Sequence, residues 1–408
     1  MAASDSSSSS NKLKEDQISR SDQPFFDTSQ VFTISAGHAV HDSYSSFLPP
    51  LLPELIQRFQ MSNTEVGILS AFLQITSVTQ PVIGYLADRI SLRYLVILAP
   101  GVTATLMSLV GISPYYAVTA FLLLFAGLSS AGMHAVGPVM AGRVSGDRLG
   151  RGMSYWMVGG ELGRTIGPIL VVSAIGWLGL EGTPWLMLGG WGASVLLFFQ
   201  LRGVSGKPTD PQLSQPWREV IRQMRPFLVA LSILQVVRSF SSVALTTYLP
   251  VFLKEGGASL WWAGASLSIL EAAGVVGALV GGSISDRFGR RRIMAIGFII
   301  TSVLIVVFLY VPGSGKTLLL PFLGFFSLST TPVIMAIVQE CYPENRAMAN
   351  GLYMALSFVL RSIILVIFGI VSDAVGLTNA YLLSAVLLVV GLPVLSRFPD
   401  RSNRSRVI

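Results

Sequence analysis

The amino-acid sequence predicts an all-α polytopic membrane protein, with 12 transmembrane helices arranged as two pseudo-symmetric six-helix bundles. Three observations predict it. Of 408 residues, 52% are hydrophobic and only 12% are charged, where a soluble globular chain carries about 25% charged residues. Apolar runs of about 20 residues, the length a helix needs to cross the hydrocarbon core, recur along most of the chain. They are continuous rather than alternating, which disfavours a membrane barrel. Finally, the loop Gly84-Tyr-Leu-Ala-Asp88-Arg89-Ile-Ser-Leu-Arg93 returns as Gly282-Ser-Ile-Ser-Asp286-Arg287-Phe-Gly-Arg-Arg291-Arg292, with Asp88 and Asp286 lying 198 positions apart, close to half the chain.

The placement of charge sets the topology. The net charge is +7, but the basic residues are not gathered into a nucleic-acid-binding face, and no nucleic-acid partner is expected. With the N-terminus in the cytoplasm, 22 of the 28 Lys and Arg fall in the tails and cytoplasmic loops. Only Arg58, Lys254 and Lys316 fall on the opposite side, and three Arg lie inside helices. This is the positive-inside imbalance, so both termini are expected on the cytoplasmic side of a cytoplasmic (inner or plasma) membrane. A single cysteine, Cys341, excludes an intramolecular disulfide.

The elements follow in order. Residues 1–30 open with a Ser run and mixed charges, without the apolar stretch of a signal peptide, and read as a disordered cytoplasmic tail. The expected spans are 31–57, 64–87, 93–112, 115–141, 152–177, 184–201, 226–253, 260–284, 292–311, 317–340, 347–373 and 377–397. Residues 202–225 hold Pro208, Pro211 and Pro216 and read as a cytoplasmic linker at the midpoint. It joins an N-terminal bundle, 31–201, to a C-terminal one, 226–397, ahead of a short cytoplasmic tail, 398–408. A second loop pair supports duplication: Gly146-Asp-Arg148-Leu-Gly-Arg151-Gly precedes span 5 and Pro343-Glu-Asn-Arg346-Ala-Met-Ala-Asn-Gly351 precedes span 11. Arg148 and Arg346 are again 198 apart. Glycine repeats inside span 5 (Gly159, Gly160, Gly163, Gly167) and span 8 (Gly274, Gly277, Gly281, Gly282) predict close helix approach, the main way helices associate in lipid.

Charges inside the spans cost about 2.5–3.5 kcal/mol each at the bilayer centre, so each calls for a partner or a function. Span 1 carries His38, His41 and Asp42, span 4 His134, span 5 Glu161 and Arg164, span 7 Arg238, span 8 Glu271 and span 11 Arg361. His38 and Asp42, four apart, share one helix face, whereas His41 should point elsewhere unless the helix is irregular. Pro49, Pro50 and Pro53 make such irregularity plausible beyond Phe47. A His beside a carboxylate is a workable proton carrier, and the bland alternative is a structural hydrogen-bond pair reaching His134. Arg164 and Arg361 sit one residue off the 198 repeat, so they can face a central cavity together and form an anion site, because the guanidinium fork suits phosphate, phosphonate or carboxylate. The alternative pairs Glu161 with Arg164, and Glu271 with Arg361 or Arg238.

Other signals carry less. Gly313-Ser-Gly-Lys316-Thr317 imitates the end of a phosphate-binding loop, but Tyr310 replaces its first Gly and no strand precedes it. Trp261-Trp262 and Tyr115-Tyr116 sit at span ends, where aromatic rings anchor at the interface. No Cys, His and carboxylate group shows metal-ligand spacing and no Ser has a candidate base, so neither a metal, a cofactor nor an enzymatic activity is expected.

The paired loops around Asp88 and Asp286 resemble the loop signature of the major facilitator superfamily, and the resemblance covers about residues 31–397. In that signature Gly84 and Gly282 would permit close approach, Asp88 and Asp286 would cap a neighbouring helix, and Arg89, Arg93, Arg287 and Arg291 would sit at the cytoplasmic face. Gly163-Arg-Thr-Ile-Gly167-Pro168 is similar to the core of the superfamily's antiporter motif, with Val171-Val172 where its closing Gly pair would be. Within the superfamily, Gly37-His38-Ala-Val-His41-Asp42-Ser-Tyr44, Gly132-Met-His134-Ala-Val-Gly-Pro138 and Gly159-Gly160-Glu161-Leu-Gly163-Arg164 most resemble fosmidomycin-resistance-like proteins. That resemblance implies a monomer in the lipid bilayer exporting a small molecule against proton entry, by rocking of two halves around a midplane site. The antibiotic that names the branch is a phosphonate, which fits the intramembrane Arg residues. Two other readings stay open: a proton-coupled importer of a small organic anion, and a non-transporting receptor on the same fold.

Overall fold

In the computed structural model the described residues are 26–87, 89–205, 217–313, 315–342 and 346–398. The proposed tail ahead of residue 26, the linker residues 206–216, Asp88, and residues 343–345 and 399–408 lie outside them. Among the described residues, 11 helices are long and apolar enough to cross a membrane, so the protein is a multi-pass membrane protein. Their ends fall within a few residues of the predicted spans.

The predicted first span is the one missing from that set, and its sequence says why. It is divided into α1 (Thr28–Ser45) and α2 (Leu48–Phe59). Pro49 and Pro50 fit the first turn of a new helix, where no N–H is needed, but cannot continue the old one. Span 2 is likewise α3 (Asn63–Ile75) and α4 (Gln80–Ala87), joined by a 3₁₀ turn at Thr76–Thr79. The first half continues with α5 (Arg93–Val110), α6 (Tyr116–Val144), α7 (Leu149–Leu178) and α8 (Met187–Leu201).

The second half repeats this order. Span 7 is α9 (Trp217–Val243) and α10 (Leu249–Glu255), separated by a π-helical turn at Ala244–Tyr248. The Tyr381 hydroxyl, wholly buried, donates 2.6 Å to the Ala244 carbonyl at that turn. Then come α11 (Leu260–Phe288), α12 (Arg290–Tyr310), α13 (Gly315–Leu328), α14 (Thr330–Cys341), α15 (Arg346–Val375) and α16 (Leu377–Val390). Helices α13 and α14 are the two parts of span 10, broken at Ser329.

Within the first half α1 packs along α7, and α5 lies between α6 and α8. Within the second, α11 packs on α13 and α9 on α15. Close approach depends on glycine where predicted. A Cβ at Gly159, Gly163 or Gly167 of α7 would come within 2.2, 2.4 and 2.1 Å of the carbonyl oxygens of Ser35, Ala39 and Ser43 on α1. Gly277 plays the same part for α13, where a Cβ would lie 2.0 Å from the Phe325 oxygen. The outward faces carry exposed Phe121, Phe199, Trp177, Leu279, Leu318 and Val386, as expected of a surface solvated by acyl chains.

The halves meet along α3–α15, α7–α11 and α2–α10. Asn63, Tyr248, Trp261 and Asp373 mark the end of the molecule where these seams join. The basic loops, with Arg89, Arg143, Arg151 and Arg287, close the helices at the other end by the same up-and-down topology.

Candidate functional site

Between the halves lies a cavity lined by Asp42, Ser45, Ser46, Ser70, Gln74, Ser77, Gln80, Ser130, His134, Arg164, Thr246, Thr247, Glu271, Phe358 and Arg361, together with Leu48, Pro49, Leu73, Pro168, Leu267 and Leu365. Broken helices supply much of this wall. The α1–α2 break presents Ser45 and Ser46, the 3₁₀ turn presents Ser77, and the π turn presents Thr246 and Thr247. Regular helical backbone satisfies itself, and interruptions belong where a polar cavity can use them.

Its first wall is a His–carboxylate cluster. Asp42 Oδ2 lies 3.4 Å from His38 Nε2 and 3.7 Å from Arg164 Nη1, and Asp42 Oδ1 lies 3.6 Å from His134 Nε2. His38 and His134 approach each other to 3.3 Å through their Nε2 atoms. The other ring nitrogens fix the tautomers. His38 Nδ1 is 2.9 Å from the Trp156 carbonyl and His134 Nδ1 is 2.9 Å from the Ser130 carbonyl. A carbonyl only accepts, so in each neutral ring Nδ1 holds the hydrogen and Nε2 is bare. Two lone pairs and a carboxylate therefore converge on one point. Trp156 also stacks on His38 at 3.7 Å between centroids. Small residues make the fit: a Cβ at Gly160 would lie 2.6 Å from His38 Cε1, and one at Gly163 would lie 2.7 Å from Asp42 Cβ.

His41 departs from expectation. It is wholly buried and does not line the cavity, yet it does not point away from Asp42, since its Nε2 lies 3.9 Å from Asp42 Oδ1. Ser45 Oγ is 3.4 Å from the same nitrogen. The absence of metal-ligand spacing in the sequence is also corrected: His38, Asp42 and His134 each offer a ligand atom within 4.8 Å of the others. Sequence spacing missed the trio because His134 arrives from α6.

The opposite wall carries Arg361. Its Nη1 donates to Ser242 Oγ at 2.7 Å and its Nη2 to Thr246 Oγ1 at 2.8 Å. Among the described residues it has no carboxylate in ion-pair range, and Glu271, although it lines the cavity, leaves one buried carboxyl oxygen without a hydrogen-bond partner. Arg164, in contrast, is paired to Glu161 on its own helix. The two alternatives read from the sequence thus split: the acid partner exists for Arg164 and not for Arg361. Glu161 holds Arg164 from outside the cavity lining. Arg238 is not brought to the cavity either, since it donates to the hydroxyls of Thr330 and Thr331 behind the wall.

The repeated loops look different in space from their motif. A Cβ on Gly84 would meet nothing within 4 Å, and one on Gly282 would meet only Pro332 at ordinary contact distance. Neither Gly is used for close approach here. Asp286 pairs with Arg290 at 2.6 Å rather than capping a neighbouring helix, and Arg290 also bonds Glu340 at 2.9 Å. Sequence reasoning passed over Arg290, because four basic residues in six positions give no sign of which one turns inward. Arg89 folds back over the Tyr85 ring at 3.5 Å, and Arg93 donates to the Arg202 carbonyl. Arg287 is exposed and Arg291 half-buried. Asp88 lies outside the described residues. Of the antiporter-like residues, Gly163 and Gly167 are buried against α1, with Pro168 at the cavity wall.

Comparisons with known proteins agree with this architecture. The family model of the Major Facilitator Superfamily matches residues 34–323 and 272–408. An uncharacterized transporter of that type, YfnC of Bacillus subtilis (strain 168), is 26% identical over 89% of this chain and 91% of its own length. The fosmidomycin resistance protein of Escherichia coli (strain K12) is 23% identical over 91% and 93%. Among solved structures, a bacterial homolog of the human lysosomal transporter Spinster, inward-facing and occupied, superposes with a TM-score of 0.77 at 12% identity, covering 91% of this chain and 96% of that one. The D-xylose-proton symporter gives a TM-score of 0.73 at 15% identity, covering 91% and 98%. The chain therefore belongs to the Major Facilitator Superfamily, whose members are transporters and not enzymes.

Proposed function

We propose that the protein is a proton-coupled exporter of a small anionic compound, working by alternating access of two bundles, 31–201 and 226–397, in the cytoplasmic membrane with both termini in the cytoplasm. One observation carries the proposal: a single cavity is lined both by Asp42 and His134 of the His–carboxylate cluster and by an Arg361 that, among the described residues, has no carboxylate in ion-pair range. Arg361 is the anion-binding group, helped by Arg164 and the hydroxyls of Thr246 and Thr247, with Glu271 as the acid that competes for it. Asp42, His38 and His134 are the proton site, and His41 supports it from the buried side.

Charge decides what that cluster takes. With neutral His rings, Asp42, Glu161 and Arg164 sum to one negative charge. One proton bridging the Nε2 atoms and the carboxylate restores neutrality, whereas a divalent metal ion would leave a net positive charge beside a guanidinium, in a setting where each unbalanced charge costs several kcal/mol. The cluster therefore suits a proton better than a metal. Export, rather than import, is supported by the likeness over most of the chain to a fosmidomycin resistance protein.

The test is flux in proteoliposomes holding the purified protein and a pH-sensitive dye. Fosmidomycin and other small phosphonates or carboxylates imposed on one side are expected to drive protons the opposite way, and Asp42→Asn is expected to abolish that coupling. Substrate movement without any proton flux in the parent protein would remove the coupling. Proton flux with only cationic or neutral compounds would remove the anion.

A further inference from the structure

At the end of the molecule away from the basic loops, one carboxylate joins the halves. Helix α3 caps itself: Glu65 N–H donates to Ser62 Oγ at 3.2 Å, and Ser62 N–H donates back to Glu65 Oε2 at 2.8 Å. The first turn of a helix leaves four N–H groups without intrahelical partners, and this box does not reach those of Asn63 and Thr64. Both are taken by Asp373, in the last turn of α15. Asn63 N–H donates to Oδ1 at 2.8 Å, Thr64 N–H to Oδ2 at 2.8 Å, and the Thr64 hydroxyl to Oδ2 at 2.6 Å. A negative charge thus sits on the positive end of a helix from the other half, through three charge-assisted bonds.

The surroundings are shaped to this contact. The Tyr248 hydroxyl, from the π turn, donates to the Asn63 carbonyl at 2.8 Å. Gly67 and Gly369 let the backbones meet, since a Cβ on Gly67 would lie 2.2 Å from the Leu365 oxygen and one on Gly369 would lie 2.3 Å from the Asn63 oxygen. Among the described residues, the matching seam between α7 and α11 has no ion pair at this end. There a neutral Trp261 Nε1–H donates to Ser173 Oγ at 3.1 Å, and Ile169 N–H to Ser268 Oγ at 3.1 Å.

We propose that Asp373 is a latch, an ionised side chain that holds this end of the cavity shut by capping α3 and that must let go before the cavity can open there. At this end of the molecule the α3–α15 seam carries the ionic part of closure, and the α7–α11 seam, joined there by the neutral Trp261–Ser173 and Ile169–Ser268 contacts, follows it. Asp373 is exposed at the rim, so water can take over both partners when they separate.

The experiment uses the full chain in vesicles, on a Cys341→Ser background with a reporter cysteine at Ser70, which lines the cavity. A membrane-impermeant maleimide is applied from one face and then the other. Asp373→Asn keeps the size of the side chain but loses the charge and one acceptor. It is expected to raise labelling from the Asp373 face at least about threefold and to lower labelling from the basic-loop face. Thr64→Val, which removes one bond of three, should shift both rates the same way by less. Equal rates in parent and Asp373→Asn from both faces would overturn the latch. A rise from both faces would also overturn it, because that is loosened packing and not a shift between two states. Neither substrate nor proton gradient is needed, so the outcome is independent of the anion and proton assignments.

Discussion

The Nε2 atoms of His38 and His134 lie 3.3 Å apart while both Nδ1 atoms are committed to backbone carbonyls. Two neutral rings in that arrangement turn lone pairs toward each other and toward Asp42. The contact becomes favourable once a proton enters, and the Trp156 ring stacked on His38 adds a face that welcomes a cation.

The His38→Phe variant follows from this. Phe keeps an aromatic ring, slightly larger than imidazole, against Trp156 and removes both nitrogens. Transport driven by an imposed pH gradient is expected to fall at least about tenfold, the loss of one interaction of about 1.4 kcal/mol or more, while transport down the substrate's own gradient persists. Parallel flux measurements with and without a pH gradient check it. A variant that still responds fully to the gradient would move the proton site elsewhere.

Arg361 supports a prediction on affinity. Its three hydroxyl partners, Ser242, Thr246 and Thr247, orient the guanidinium without neutralising it. Arg361→Gln is expected to raise KM for an anionic substrate by about tenfold or more, since a hydrogen bond to a charged group contributes about 1.5–3 kcal/mol. Arg361→Lys should not restore it, because an ammonium cannot bond Ser242 and Thr246 and still present a planar fork. Neutral compounds should be affected little. A concentration series of uptake for one anionic and one neutral compound decides.

Glycines at two sites in this chain separate packing from motif. Gly163→Ala drives a methyl to 2.4 Å from the Ala39 oxygen, and overpacking of this kind costs about 1–3 kcal/mol. Gly84→Ala meets nothing and gains helix propensity of up to about 1 kcal/mol. Thermal unfolding in detergent should show a lowered Tm for the first and an unchanged or raised one for the second. The reverse order would mean that the Gly84 loop is closely packed after all.

How far these features could be read beforehand differs by kind. Spans were legible because lipid imposes length and composition, and α7 against α1 was legible because small residues recur on one face. Asp42 with His38 was legible from a four-residue spacing on one helix. Partners arriving from other helices were not: His134 beside His38, the hydroxyls around Arg361, and Arg238 turned away behind the wall depend on how helices rotate against each other. The α1–α2 break was announced by Pro49 and Pro50, but the approach of the His41 ring to Asp42 inside the regular part of α1 was not, since it depends on the side-chain rotamers. Asp373 had no signal at all, since one acid at a span end reads as ordinary solvation until the N-terminus of α3 is seen against it.

The α3–α15 seam also allows a purely steric test. In Gly369→Val the new Cβ would lie 2.3 Å from the Asn63 carbonyl oxygen. That atom is backbone in the first turn of α3, so no side-chain rotation relieves the clash and the helices must separate. Separation costs the Asp373 bonds and the Tyr248 bond together, and so the shift should exceed that of Asp373→Asn. The cavity is then expected to stay open at this end: reporter labelling from the Asp373 face rises, and transport falls because the cycle cannot return. Binding, measured by protection of the reporter with excess substrate, should survive, since none of the cavity-lining side chains is replaced. A variant that transports at the parent rate would show that the two helices do not have to meet at Gly369 during the cycle.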